Sequence, residues 1–477
     1  MGPAWPVSRR RGQDAVIDAG IDDTLPDTVI SGSTFRDRGR MAAAGPRPGS
    51  QTIQEEAVAP PLFVADASRA AVGWARQRHL GLTSATGISV VLAGCAAVWF
   101  SAGATADMFR GAVALWCSYL VLAAGRLVAR RVGGASEDAA DRRMVGPVRW
   151  LAALGLSLAE VLVYAGLVVG AEAEHSPGMW TIGAGVLGLV TVRTVMTACS
   201  TPYGLRYPPE TLVGRGWAAV LTMAAGGRIL VIGMVAPVFG PRAVLLVMLA
   251  WAISSVAYGL AGRPVPDVAA ETAGDGSAVA SASLLRMRDD GLFARYLGAL
   301  VRGVLLPLPP AILALAAVSA LALVGMHGLP GPLMLGPAVA MLLAAPGSGN
   351  PHVGRFDWLA PVLIVSSQIL YLSAVGAGGR VPGPVSYVLV GALLIRYTDL
   401  ACAQRPVMLA RQSSADSARR EFGTELGWEG RVLLAGFGAA IGIATVGYVA
   451  LTGYLALLIG AKVVRCGVES SPDDERS

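Results

Sequence analysis

From Gly87 onward, apolar stretches of membrane-spanning length recur along the chain, separated by short connections that carry arginines, acids or glycines. In the first half they run approximately Gly87–Ala102, Gly111–Ala124, Trp150–Ala171, Met179–Thr197, Trp217–Phe239 and Ala243–Ala261. A polar break of linker composition runs from Gly262 to about Ser283, with Arg263, Asp267, Glu271 and Asp275 among Gly, Ser and Ala, and places a linker at 264–283. Beyond it lies a short amphipathic piece, Leu284–Arg295. The second set of spans is roughly Val304–Val324, Pro332–Ala345, Trp358–Val375, Pro384–Ile395 and one long stretch from Val432 to Ile459. This pattern predicts an all-α, polytopic helical membrane protein with about eleven transmembrane helices. Residues 1–80 are polar and rich in Gly, Pro, Ser, Arg and Asp, and predict a disordered cytoplasmic tail. The triplet Arg9, Arg10 and Arg11 lacks the nearby apolar segment that a twin-arginine export signal needs. A short polar tail, 469–477, ends the sequence.

Composition agrees with the pattern. Hydrophobic residues make up 54% of the 477, charged residues only 15% and aromatics 6%, while Gly reaches 60 and Pro 29. Such a chain is too apolar for a soluble protein of this length, and small residues suit closely packed helices better than an aromatic-girdled β-barrel. The net charge of +6 is carried almost wholly by arginine, Lys462 being the sole lysine. That skew reflects a GC-rich genome, and no nucleic-acid partner is expected. The cysteines Cys95, Cys117, Cys199, Cys402 and Cys466 have no C-x-x-C spacing, so neither a disulfide framework nor a zinc site is indicated.

Arginine placement sets the expected orientation. Arg76 and Arg78 precede the first span, and Arg130, Arg131, Arg142, Arg143 and Arg149 lie between the second and third, whereas the next connection carries Glu172, Glu174 and His175. The N-terminus is therefore expected in the cytoplasm of a cell inner (plasma) membrane, with the loops 346–357 and 396–431 on the same side. Lys462 and Arg465 argue for an inside C-terminus, although an odd number of spans puts it outside.

Three ionisable groups fall within or near apolar spans: Glu160, Arg193 and Arg228. Each needs a partner or a watery cavity. They suit either a polar cavity in which the arginines hold an anionic head group, or a structural pairing of Glu160 with one arginine, or snorkelling of each group to an interface.

The first half also resembles a known family. GLTSATGISVVL at 81–92, the basic end of the second span at Ala129 and Arg130, RWLAALGLSLAEVLVYAGL at 149–167 and FGPRAVLLVMLAWAISSVAYGLAGR at 239–263 are similar to the six-helix fold of the CDP-alcohol phosphatidyltransferases. The resemblance covers 81–263. It implies transfer of a CDP-activated group to an alcohol, with four aspartates holding two Mg²⁺ or Mn²⁺ ions. Those aspartates would fall at Leu122, Gly125, Ala152 and Leu156, so all four are replaced and no cofactor or metal site is expected. A DGLFAR run at Asp290–Arg295 repeats part of the signature, but Met287, Pro307 and Ala311 stand where further aspartates belong. It reads equally as an interfacial helix whose Arg286, Arg288 and Arg295 meet lipid phosphates.

The second half, 284–468, is expected to be a separate helical membrane domain. It resembles an uncharacterised actinobacterial membrane domain found attached to CDP-alcohol phosphatidyltransferase-like regions, through GSGNPHVGRFDWLAPVL (347–363), VPGPVSYVLVGALLIRYTDL (381–400) and LGWEGRVLL (426–434). Its most informative segment packs Asn350, His352, Arg355 and Asp357 behind a flexible Gly-Ser-Gly. The expected orientation places that loop on the face carrying Arg396, Asp399, Glu425 and Glu429. These groups predict either a pocket, with Arg355 and Arg396 on a phosphate and His352 or Asp357 handling a proton or metal, or an ordinary turn with Asp399 capping a helix and Trp358 at the interface. Ser366, Ser367 and Gln368 predict helix–helix hydrogen bonds. The sequence thus points to a non-catalytic relative of the transferases that supports phospholipid or cell-envelope metabolism. The rival is a transferase acting on a CDP-activated or phosphate-bearing lipid from the second half. Its expected partners are membrane lipids, including anionic head groups, and the assembly is compatible with a homodimer. A transporter would be favoured by an inverted repeat between the halves, and none is visible.

Overall fold

A computed structural model describes residues 82–135, 139–174, 178–200, 225–261, 284–301, 306–324, 331–349, 356–409 and 425–469, all within one compact unit, Glu56–Ser477. The tail 1–80, the linker 264–283 and residues 470–477 lie outside the described residues.

Among the described residues every regular element is helical, and eight helices are long and apolar enough to cross a membrane. The protein is a multi-pass helical membrane protein. Four helices open the chain: α1 (Leu82–Ser101), α2 (Thr105–Ala135), α3 (Ala139–Ala173) and α4 (Met179–Ser200). Their sides meet through small residues, as expected where lipid supplies no hydrophobic drive between helices. A Cβ on Gly125 would lie 2.6 Å from that of Ala85, and Gly166 of α3 rests directly on the Ala97 backbone of α1.

The helix α5 (Ala225–Leu260) is broken by Gly240 at φ 78°, between Pro237 and Pro241. The break is a reversal. Residues 227 and 251 would stand about 36 Å apart on a straight helix, yet a Cβ on Gly227 would lie 3.2 Å from the Trp251 ring. Two arms result, 225–239 and 241–260, matching the pair of spans the sequence predicts there. The first arm packs on α2, with Gly226 and Gly233 under the Tyr119 and Trp116 rings, and the second reaches α4, where Gly259 meets Met196 and Arg193.

The second half begins with the amphipathic α6 (Leu292–Leu300). It continues through α7 (Leu308–Val324), the short α8 (Leu335–Leu342) with a 3-10 turn on either side, α9 (Leu359–Gly378) and α10 (Gly383–Leu409). The long last span predicted from Val432 to Ile459 is instead two helices, α11 (Trp428–Ala440) and α12 (Ala444–Glu469), folded against each other at Gly442, φ 80°. A Cβ on Gly438 would lie 3.8 Å from Gly447 Cα, the close approach that the reversal requires. Splitting this stretch removes the parity conflict: Lys462 of α12 returns to the bundle end where Asp399 and Trp150 lie.

The halves share their core. Val192, Val195, Met196 and Cys199 of α4 pack with α9 and α10, while Tyr387, Val390 and Leu394 of α10 enter the core of the first half. At the opposite end from Lys462, Trp180 and Tyr387 meet edge to face, ring centroids 5.3 Å apart, and Trp180 donates to Glu172 at 2.7 Å.

Candidate functional site

Two clusters of charge stand out inside the bundle. The first joins two of the three intramembrane groups expected from sequence. Arg228, on the first arm of α5, donates Nε–H to Glu160 of α3 at 3.1 Å, and its Nη2 also reaches that same carboxylate oxygen. Tyr164, one helical turn beyond Glu160, is buried with its hydroxyl unpartnered. Beside them is a cavity of about 20 Å³, lined by Ser118, Tyr119, Glu160, Tyr164 and Arg228 among apolar neighbours. That volume holds about one water molecule, which needs two to four polar partners of this kind. Ser89 and Ser118 hydrogen-bond each other at 2.9 Å on the α1–α2 side. The third group, Arg193, is buried on α4 beside Gly259.

The second cluster is larger and lies at the Lys462 end. Its centre is Asp289, held at φ 52° in the left-handed region between Met287 and α6. One Asp289 oxygen accepts from Arg396 of α10 at 2.8 Å and the other from Arg431 of α11 at 2.6 Å. Burial alone would raise the Asp289 pKa, but the two guanidinium groups outweigh it and hold the carboxyl well below its ordinary range. Arg396 also contacts Asp399 at 3.4 Å, together with Glu425. Asp399 in turn accepts from Trp150 of α3 and from Lys462 of α12, at 2.7 and 2.6 Å, with the Lys462 ammonium 5.6 Å from the Trp150 ring centre. Next to Asp289, Asp290 accepts from Arg288 at 2.9 Å and from the Trp428 indole at 2.7 Å. Glu429 completes the set by accepting the backbone N–H groups of Gly291 and Ala294, both at 3.1 Å, so that α11 caps the start of α6.

The cluster therefore ties several chain segments together, with Asp289, Asp290, Arg288, Arg396, Asp399, Glu429 and Arg431 buried and Glu425 and Lys462 at its exposed edge. Its arginines are matched by carboxylates, which is how charge is accommodated in such surroundings.

Of the residues expected to form a phosphate pocket, Asn350, His352 and Arg355 lie outside the described residues. Asp357 is buried ahead of α9. Arg396 and Asp399 are brought together, and Arg396 faces three carboxylates. Several local expectations are corrected. Arg288 meets no lipid phosphate: it is 0% exposed, bonded to Asp290 and to the Ala344 carbonyl. Arg295 is exposed. Asp399 lies within α10 rather than capping an end, and Trp358 is buried rather than interfacial. Ser366 and Ser367 donate to Val362 and Leu363 of their own helix, and among that trio Gln368 alone bonds across helices, accepting from Tyr397 at 2.8 Å.

Sequence reasoning missed Asp289 and Arg431, and noted Asp290 only as the start of the partial DGLFAR signature. The available signal was the adjacent acid pair in front of Gly291, followed far downstream by arginine and tryptophan in LGWEGRVLL.

The positions where the transferase resemblance expects aspartates can now be placed. Leu122 and Ala152 form a small apolar cluster with Leu82, against Val148 and Leu156, and Gly125 faces Ala85 and Leu82. Hydrocarbon occupies the spot, so the residues present do not fit a Mg²⁺ or Mn²⁺ pair. Among the described residues no group of three or more His, Cys, Asp and Glu side chains is arranged to hold a metal ion. No family model, curated protein or solved structure matches the chain.

Proposed function

We propose that this is a non-catalytic integral membrane protein related to CDP-alcohol phosphatidyltransferases, acting in support of phospholipid or cell-envelope metabolism through contact with membrane lipids. The reading is carried by one observation: the four positions that would bear metal-binding aspartates converge in space, but as Leu122, Gly125, Ala152 and Leu156. Convergence is what a shared six-helix plan expects, and hydrocarbon there removes the ligands the reaction needs. The plasma membrane is the proposed location, with the N-terminus in the cytoplasm, on the strength of arginine placement.

The test is a transferase assay on the purified full chain in lipid nanodiscs, with a CDP-activated lipid, alcohol acceptors and Mg²⁺ or Mn²⁺. No CMP release above a protein-free control is expected. Metal-dependent release that is lost on changing Leu122 or Ala152 would overturn the proposal. Release lost instead on changing His352, Asp357 or Asp399 would move the chemistry to the second half. Reporter fusions near Arg142, Asn350 and Arg411 should all give cytoplasmic signals, and a periplasmic signal at any of them breaks the assigned orientation.

A further inference from the structure

We infer that the two halves are copies of one six-helix unit, paired face to face about a two-fold axis, so that the chain contains its own dimer interface. Three stretches of sequence repeat with identical spacing. Trp150-Leu151-Ala152 and Glu160-Val161-Leu162 in α3 are separated by seven residues, and so are Trp358-Leu359-Ala360 and Gln368-Ile369-Leu370 at the head of and within α9. Gly188-x4-Arg193-x4-Ala198-Cys199 in α4 repeats as Gly391-x4-Arg396-x4-Ala401-Cys402 in α10. Gly227-Arg228-Ile229-Leu230-x2-Gly233-x2-Ala236 in α5 repeats as Gly430-Arg431-Val432-Leu433-x2-Gly436-x2-Ala439 in α11. The repeats follow one another in the same order in both halves. Each half then closes on a reversal at a glycine of positive φ, Gly240 and Gly442.

The packing obeys the same correspondence. Within the halves, α1 lies on α2 and α3 as α7 lies on α8 and α9, and the second arm of α5 lies on α4 as α12 lies on α10. Between the halves α4 lies along α10, while α3 with α10 is answered by α4 with α9. Individual residues reciprocate. A Cβ on Gly391 would lie 3.0 Å from Val161 Cγ1, and a Cβ on Gly188 would lie 2.7 Å from Ile369 Cγ2. Val161 corresponds to Ile369, and Gly188 to Gly391, in the repeats above. A contact of i with j′ matched by j with i′ defines an isologous two-fold interface. The starts of α4 and α10 lie together, Gly383 against Trp180, so the paired helices run in the same direction and the axis follows them.

The correspondence assigns counterparts to the charged residues. Arg193 matches Arg396, Arg228 matches Arg431, and Glu160 matches Gln368. In the second unit, where Gln368 is neutral, the carboxylate opposite Arg431 comes from Asp289. The face formed by α3, α4, α9 and α10 is thereby filled within one chain, and a second copy of the protein has no place on it.

Reciprocal disulfides test this in the full chain, in a variant without the native cysteines, reconstituted in nanodiscs. Val161→Cys with Gly391→Cys, and Ile369→Cys with Gly188→Cys, should both cross-link under mild oxidant, and both should give only single-chain products. Cross-linking of one pair but not the other, or products containing two chains, overturns the inference. Mass measurement of the unmodified protein in nanodiscs provides a check that needs no substitution. One chain per particle is expected, and a pair of chains that shields the 188–391 face from labelling contradicts it.

Discussion

An Asp289→Asn protein is expected to lose about 3–5 kcal/mol of stability, because the change strips the shared carboxylate from two buried arginines at once. Asp289 takes Arg396 on one oxygen and Arg431 on the other. Arg396 keeps Asp399 and Glu425, so the larger part of the loss falls on Arg431, whose remaining partners are the Leu426 carbonyl at 3.3 Å and a long contact to Tyr397 at 3.5 Å. The unfolding midpoint in detergent, followed by intrinsic tryptophan fluorescence, should drop sharply. Adding Gln368→Glu should restore part of it, since Gln368 already reaches Tyr397 and holds the place from which Glu160 serves Arg228 in the first half. A double variant no more stable than Asp289→Asn would falsify that correspondence.

A comparable loss is expected from Glu160→Ala, which leaves Arg228 buried without its carboxylate; again about 3–5 kcal/mol is the scale for a broken buried pair. Replacing both partners by leucine should be far milder, because an apolar pair of similar volume carries no uncompensated charge into the bundle. The contrast separates pairing from packing. Thermal scans of the two variants beside wild type measure it, and a double replacement as harmful as the single one would show that shape at this site, not charge, sets the stability.

How much of this was legible in the sequence differs from segment to segment. Helical spans were legible because hydropathy alone identifies them, and the reversal at Gly240 lay between two predicted spans flanked by prolines. The reversal at Gly442 was hidden: the residues around it are apolar without interruption, and Gly447 and Gly453 offered equally good breaks. Glu160, Arg193 and Arg228 announced themselves, since a charge within an apolar run demands an explanation, and Arg396 was singled out only as a loop residue at the end of its span. Asp289 did not, because it follows a polar linker, where acids ordinarily face solvent, and Asp290 drew notice only through the partial DGLFAR signature. Their burial depends on α11 folding over them, with the Trp428 N–H donating to the Asp289 carbonyl at 3.0 Å. Such tertiary covering has no local signature.

Continuity of the chain also bears on how its two units change over time. In an assembly of two identical chains every substitution arrives twice, so an acid on one side of the axis and an amide on the other cannot coexist. Glu160 and Gln368 do coexist here. A mutation in one unit leaves the other as it was, and a carboxylate can be given up on one side once a neighbouring segment, such as that bearing Asp289, has supplied another. Within one chain the two sites are free to differ, as Glu160 and Gln368 do.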